Sequence, residues 1–160
     1  MTSALFANQR ETNLASTVAL VEDVLAELGH PAPASKTKDA TALHAWRIPK
    51  GSAVTRVTLV HRAEFTHLRV SAIVMTLDAK VDRAALFAHL LDLNAGLCGA
   101  AFATAGDQVL LVSERSTLDL DRSEVLDTIQ RTTMLADEHD DVLVAQFGGT
   151  LGLAPAAAAT

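Results

Sequence analysis

Val54-Thr-Arg-Val-Thr-Leu-Val-His-Arg-Ala-Glu-Phe-Thr-His-Leu-Arg-Val-Ser-Ala-Ile-Val74 is the stretch that decides the fold. Over Val54–His61, Thr55, Val57 and Leu59 alternate with Arg56 and Thr58. After a break at Ala63-Glu64, Leu68, Val70, Ala72 and Val74 alternate with His67, Arg69 and Ser71. A period of two puts successive side chains on opposite faces of a strand, and a break this short joins antiparallel neighbours. The stretch therefore predicts a hairpin with one apolar and one largely polar face. Upstream, Lys50-Gly51-Ser52 is a turn signal, and Ala42–Ile48, with the sole Trp46, reads as a strand before it.

Further toward the start the period changes. Leu14, Val18, Val21, Leu25 and Leu28 fall at spacings of four and three, one face of a helix over about 13–28. Gly29 ends it, and Pro31 and Pro33 argue against its resumption, so 29–40 is predicted as a loop. Residues 1–11 show no periodicity and are expected to be flexible.

Downstream, Asp82 can cap a helix over about 82–95, with Leu86, Leu90 and Leu93 in one stripe and Phe87 and Leu91 widening it. Leu97–Thr104 reads as a strand despite Gly99, Ala100 and Ala101, small residues that suggest close approach of another backbone. Ala105-Gly106-Asp107 is a turn and Gln108–Glu114 a strand. Asp121 with Glu124 resembles a capping box for a helix over about 122–146, its inner face Val125, Ile129, Thr132 or Thr133, Ala136 and Leu143. Gly148-Gly149 ends it, and residues 148–160 are expected to be flexible. The reading is an α+β fold: a five-stranded antiparallel sheet flanked by three helices, order α-β-β-β-α-β-β-α, in a single domain over 12–147.

A chain of 160 residues with net charge −6 lacks the clustered cations that nucleic acid or an anionic membrane surface would need. No stretch reaches the roughly 18 apolar residues of a spanning helix, the start lacks the pattern of a signal peptide, and Cys98 has no second cysteine to pair with. A reduced, cytoplasmic setting is expected.

Reactive arrangements fare poorly. No phosphate-cradling glycine loop or nucleophile elbow is present. Cys98 lies in an apolar run, where a thiol behaves as a small hydrophobe, and no base is in evidence for it. His61 and His67 flank the hairpin turn and would face each other if the turn were symmetric, with Glu64 as the one local third ligand, short of a metal site. Asp119, Asp121 and Ser123 imitate the start of a calcium loop, but Glu124 replaces its glycine and Gln130 its bidentate glutamate. The run Asp137-Glu138-His139-Asp140-Asp141 reads as a solvated helix face. The expectation is no catalytic residue, cofactor or metal, hence not an enzyme.

The second half carries a wider pattern: Leu90-Leu91-Asp92-Leu93-Asn94, small residues into Phe102, Gly106-Asp107-Gln108-Val109-Leu110-Leu111-Val112, Leu118 and Leu120, then the long helix through Leu135-Ala136-Asp137-Glu138-His139-Asp140-Asp141. This resembles the YbjN family, which shares the fold of the bacterial class I type III secretion chaperones, the Tir-chaperone-like fold. The resemblance implies a homodimer whose contact uses the second helix and fourth strand, here Leu86, Leu90, Leu97, Gly99, Ala100, Ala101 and Phe102. It also implies a chaperone-like or regulatory adaptor that grips a client or regulatory protein. The alternative is a small-ligand or metal-responsive regulator built on the His61–His67 hairpin or a pocket under the second helix.

Overall fold

Alternation along the deciding stretch becomes two long strands in the computed structural model, which describes residues 2–51 and 53–152, with side chains from residue 13 onward. The elements in chain order are α1 (Thr2–Glu27), α2 (Ala32–Ser35), β1 (Lys36–Thr37), β2 (His44–Lys50), β3 (Ala53–Arg62), β4 (Phe65–Thr76), α3 (Arg83–Gly96), β5 (Ala101–Ala105), β6 (Gln108–Ser116), α4 (Arg122–Phe147) and β7 (Thr150–Leu151). Met1 and the tail 153–160, part of the ends expected to be flexible, lie outside the described residues.

All pairings are antiparallel, in the spatial order β1-β2-β3-β4-β6-β5, with β7 added to β4. The α+β architecture stands, but among the described residues the sheet has seven strands and four helices accompany it, where five and three were expected. The helix α2 starts with Pro31 as N-cap and Pro33 inside its first turn, where a missing N–H costs nothing; these prolines start a helix as well as stop one. Two-residue strands such as β1 and β7 are too short to carry a period. The strand β7 exists because β4 outruns β3: their pairing ends at Ala72, and on that side Met75 and Thr76 pair with Leu151 and Thr150. A side chain at Gly149 or Gly152 would run into the carbonyls of Thr76 and Ile73, so the close approach requires glycine.

The two faces of the sheet divide as the alternation predicts. Trp46, Val57, Leu59, Leu68 and Val70 are fully buried against Val21, Val24 and Leu25 of α1 and Val125 and Ile129 of α4. Beside this patch, Ala72, Phe102 and Leu111 pack with Leu86 and Leu90 of α3 and Ala136 and Leu143 of α4. The opposite face carries Arg47, Arg56, Arg69, Ser71, Ile73, Leu110 and Val112, all part-exposed.

Two caps were legible. Asp82 accepts from the amides of Ala84 and Ala85, and Asp121 with Glu124 forms the reciprocal capping box of α4. Three local readings need correction. The helix α1 begins at Thr2, well before 13. Leu91 lies outside the apolar stripe of α3 and is 70% exposed. The fourth long strand begins at Ala101, not Leu97, because Gly99 adopts φ +74°, a left-handed turn that no strand accommodates. The edge of β5 is closed by α3. Asn94 Nδ2 donates to Phe102 O (3.2 Å), and the Phe102 amide donates to Asn94 Oδ1 (2.7 Å), so one carboxamide satisfies both outward backbone groups of Phe102.

Candidate functional site

Where α1, α3 and α4 meet the outer edge of β2, the helices do not close over the sheet. They leave a groove of about 800 Å³, a volume in the range of ligand pockets. Its apolar wall is Leu28 after α1, Ile48 and Pro49 of β2, Leu97 after α3, and Ile129 and Met134 of α4. Met134 is 53% exposed, a large apolar side chain on the groove surface with water on much of it. The polar rim is His30, Lys50, Cys98, Asp127 and Arg131. Arg131 is fixed from two sides: Nη2 donates to both carboxylate oxygens of Asp127 (2.7 and 2.6 Å), and Nη1 donates to the Cys98 carbonyl (3.2 Å). This clamp ties the loop 97–100 to α4 at the groove rim.

The groove runs along an incompletely paired strand. On its outer side β2 pairs with β1 only at Ala45 and Trp46, so among the described residues no strand covers Arg47–Lys50 there. Pro49 lacks an amide and suits this edge, where a ladder donor is not called on. The opposite edge, β5, is closed at Phe102 by Asn94. Thus the sheet has one blocked edge and one partly open edge, and the open one borders the apolar groove.

Each residue singled out in the sequence has a clear place. Cys98 is exposed on the loop after α3, contrary to the buried thiol expected, because Gly99 turns the chain outward. His61 and His67 do not face each other. His61 pairs with Thr66 and His67 with Val60, so the two rings lie on opposite faces of the hairpin. The ladder closes at Arg62↔Phe65 around the two-residue turn Ala63-Glu64, and His61 and His67 are not equidistant from its centre, which removes the motive for a metal reading there. Among the described residues no group of three or more His, Cys, Asp or Glu is placed to hold a metal ion. Asp121 spends its carboxylate on the Ser123 hydroxyl and the Glu124 amide, as a cap does. Of the acidic run, Asp137, Glu138 and Asp141 are exposed, while Asp140 is buried. Among the residues offered as a dimer contact, Leu86, Leu90 and Phe102 point into the core, Leu97 and Ala100 are half-buried, and Gly99 and Ala101 are exposed.

Sequence reasoning missed the groove, since it is assembled from four segments far apart in the chain. The exposed Met134 inside a helix pattern was the available signal. It also missed two ion-pair clusters on the open face. Hydrogen bonds from the Thr41 hydroxyl and amide, with attraction from Arg56, hold the Asp39 carboxyl below its usual range. Burial pushes the Glu114 carboxyl up, but hydrogen bonds from Arg62 and Arg69, and their charges, outweigh it, so the net direction is down. A carboxyl depressed in the folded state stabilises the fold fully above its unfolded value and loses that contribution as pH falls through the folded one. Replacing Glu114 by Gln should therefore lower the stability measured by urea unfolding at neutral pH by about 1 kcal/mol or less, since Arg62 is half-exposed. The gap to the wild type should close as pH drops below the ordinary 4.5. A gap that widened in acid would contradict this assignment.

The antiparallel sheet covered by helices on one side has the fold of the secretion chaperones. A family model described as "T3SS (YopN, CesT) and YbjN peptide-binding chaperone 1" matches residues 15–155, and the chain belongs to that family. Solved structures share the fold. A chain of the ExsC–ExsE complex matches with TM-score 0.61 and 16% identity, covering 81% of this chain and 94% of that one. A chain of the HopA1–SchA chaperone–effector complex matches with TM-score 0.55 and 14% identity, covering 83% and 95%. The structure of the Yersinia pestis type III secretion chaperone SycH with a fragment of YscM2 gives TM-score 0.52 and 18% identity, covering 75% and 96%. No curated protein sequence matches significantly. Among the described residues no helix is long and apolar enough to cross a membrane.

Proposed function

We propose that this chain is a non-enzymatic, cytoplasmic peptide-binding chaperone or regulatory adaptor that works as a homodimer and holds an extended segment of a client protein. The observation that carries the reading is the apolar groove beside the unpaired edge of β2. A client segment laid along Arg47–Lys50 can bond to the edge backbone there apart from the absent Pro49 amide, and its apolar side chains gain Leu97 and Met134. Family membership and the fold shared with chaperone–effector complexes support it. A photo-crosslinking residue placed at Met134 should capture client peptides from native lysate. The same residue at Ala145, exposed on α4 well beyond the groove, should not. Equal yields at both positions, or none at Met134, would sink the reading.

The dimer contact is carried by the exposed members of the region implied by the resemblance: Gly99 and Ala101, with Ala103 beside them and Leu91 on the outer face of α3. Small side chains let a second backbone approach, and Leu91 supplies apolar area. Ala101→Glu should convert the dimer to monomer in sedimentation, because two carboxylates would meet across a two-fold contact. An unchanged mass removes this strand from the interface.

A further inference from the structure

The face of the sheet turned away from the helices bears an unusual charge for this chain. Trp46 and Ile48 point into the core, so Arg47 between them points out; by the same alternation so do Arg56 on β3 and Arg69 on β4, with Arg62 at the end of β3. Four guanidiniums share this face with two carboxylates, Asp39 and Glu114, in a chain whose net charge is −6. Asp39 pairs with Arg56, and Glu114 bridges Arg62 (Nη2–Oε2 3.0 Å) and Arg69 (2.6 Å). Among the described residues Arg47 has no ion-pair partner, and it stands directly across from Arg56 in the β2–β3 register. Like charges directly opposite each other destabilise a sheet, and nothing in the fold needs this pair. Around the arginines lie Val54, Val60, Ile73 and Val112, half-buried apolar side chains on the same face.

We infer that this basic face docks an acidic, extended polypeptide segment, its carboxylates on Arg47, Arg56, Arg62 and Arg69 and its apolar residues on the interleaved valines. The guanidiniums are accessible, with Arg56 43% and Arg62 52% exposed, and a guanidinium takes a carboxylate in a bidentate fork. A polypeptide fits better than nucleic acid. A phosphate backbone would run past the patch onto the acidic remainder of the chain, whereas a short acidic segment ends within it. The inference rests on the reading that the chain binds polypeptides, but on a different surface from the groove. In the sheet order β2 and β3, which carry Arg47, Arg56 and Arg62, are also separated by β4 and β6 from β5, where the dimer contact is placed.

The test uses the full chain and a fluorescein-labelled peptide of alternating Glu and Val, with an alternating Gln and Val peptide and oligo-dT as comparisons, read by fluorescence anisotropy at low salt. The Glu peptide should bind, and added salt should weaken it. The double variant Arg47→Ser, Arg56→Ser should lose about tenfold in affinity. Met134→Glu in the groove should leave that affinity unchanged, which separates this surface from the groove if either reading fails. Charge reversal at Arg47→Glu and Arg56→Glu should transfer binding to a peptide of alternating Lys and Val, and this gain shows that the variant is folded. Equal binding of the Gln peptide, indifference to the arginine variants, or tighter binding of oligo-dT at the same residues would overturn the proposal.

Discussion

Trp46→Ala should cost about 3–5 kcal/mol of stability, the range for truncating a large buried aromatic. The indole is fully buried at the join of α1, α4 and the sheet, packed with Val57 across the strand pair and with Val21, Leu25 and Ile129 among its core neighbours. His44 stacks against it at 6.0 Å with an interplanar angle of 17°. The chain has one Trp, five Phe and no Tyr, and this core patch contains no other large apolar ring among its buried members, so only the smaller, part-exposed imidazole of His44 adjoins the void. Against a total stability of about 5–15 kcal/mol, the loss approaches unfolding. Urea unfolding followed by far-ultraviolet circular dichroism measures it, and Trp46→Phe should recover more than half. A loss under about 1 kcal/mol for the alanine variant would mean that the patch collapses freely and is not the keystone described.

Asn94→Ala should cost about 1–3 kcal/mol, two hydrogen bonds of ordinary net worth, and should also make the protein associate beyond the parent's oligomeric state. The reason is geometric. Phe102 directs its N–H and C=O away from β6, and the Asn94 carboxamide receives both in place of a neighbouring strand. By the period of two, Thr104 presents its backbone groups in the same direction. Removing the carboxamide leaves an uncovered run of an edge strand whose side chains, Ala101, Ala103 and Ala105, offer no charge to repel another strand. Sedimentation should show higher species that grow with concentration. Asn94→Asp separates the effects, since a carboxylate still accepts from the Phe102 amide but cannot donate to its carbonyl. If Asn94→Ala remains as stable and as monodisperse as the parent, Asn94 is not the element that closes this edge.

Legibility in the sequence tracked how local each signal was. The alternation over Val54–Val74 located β3 and β4, and the aspartates at 82 and 121 located the starts of α3 and α4. The inner face of α4 was readable down to Thr132 and Thr133, both of which are buried. Features decided at a distance were not readable. Thr150 and Leu151 are a strand because β4 has a vacant side there, and Lys36 and Thr37 because Ala45 and Trp46 do. Cys98 is exposed through the conformation of its neighbour Gly99, which an apolar run does not reveal. The groove needed Leu28, Ile48, Leu97 and Met134 brought together, and no spacing in the chain encodes that.

Helices cover only one side of this sheet, so along each central strand adjacent residues answer to separate demands. Val57 and Val70 are committed to keeping the protein folded, while Arg56 and Arg69, one position away, remain in contact with water. Substitution at the second set leaves the interior untouched. A change of recognition on the open side can therefore be made residue by residue without repacking the interior.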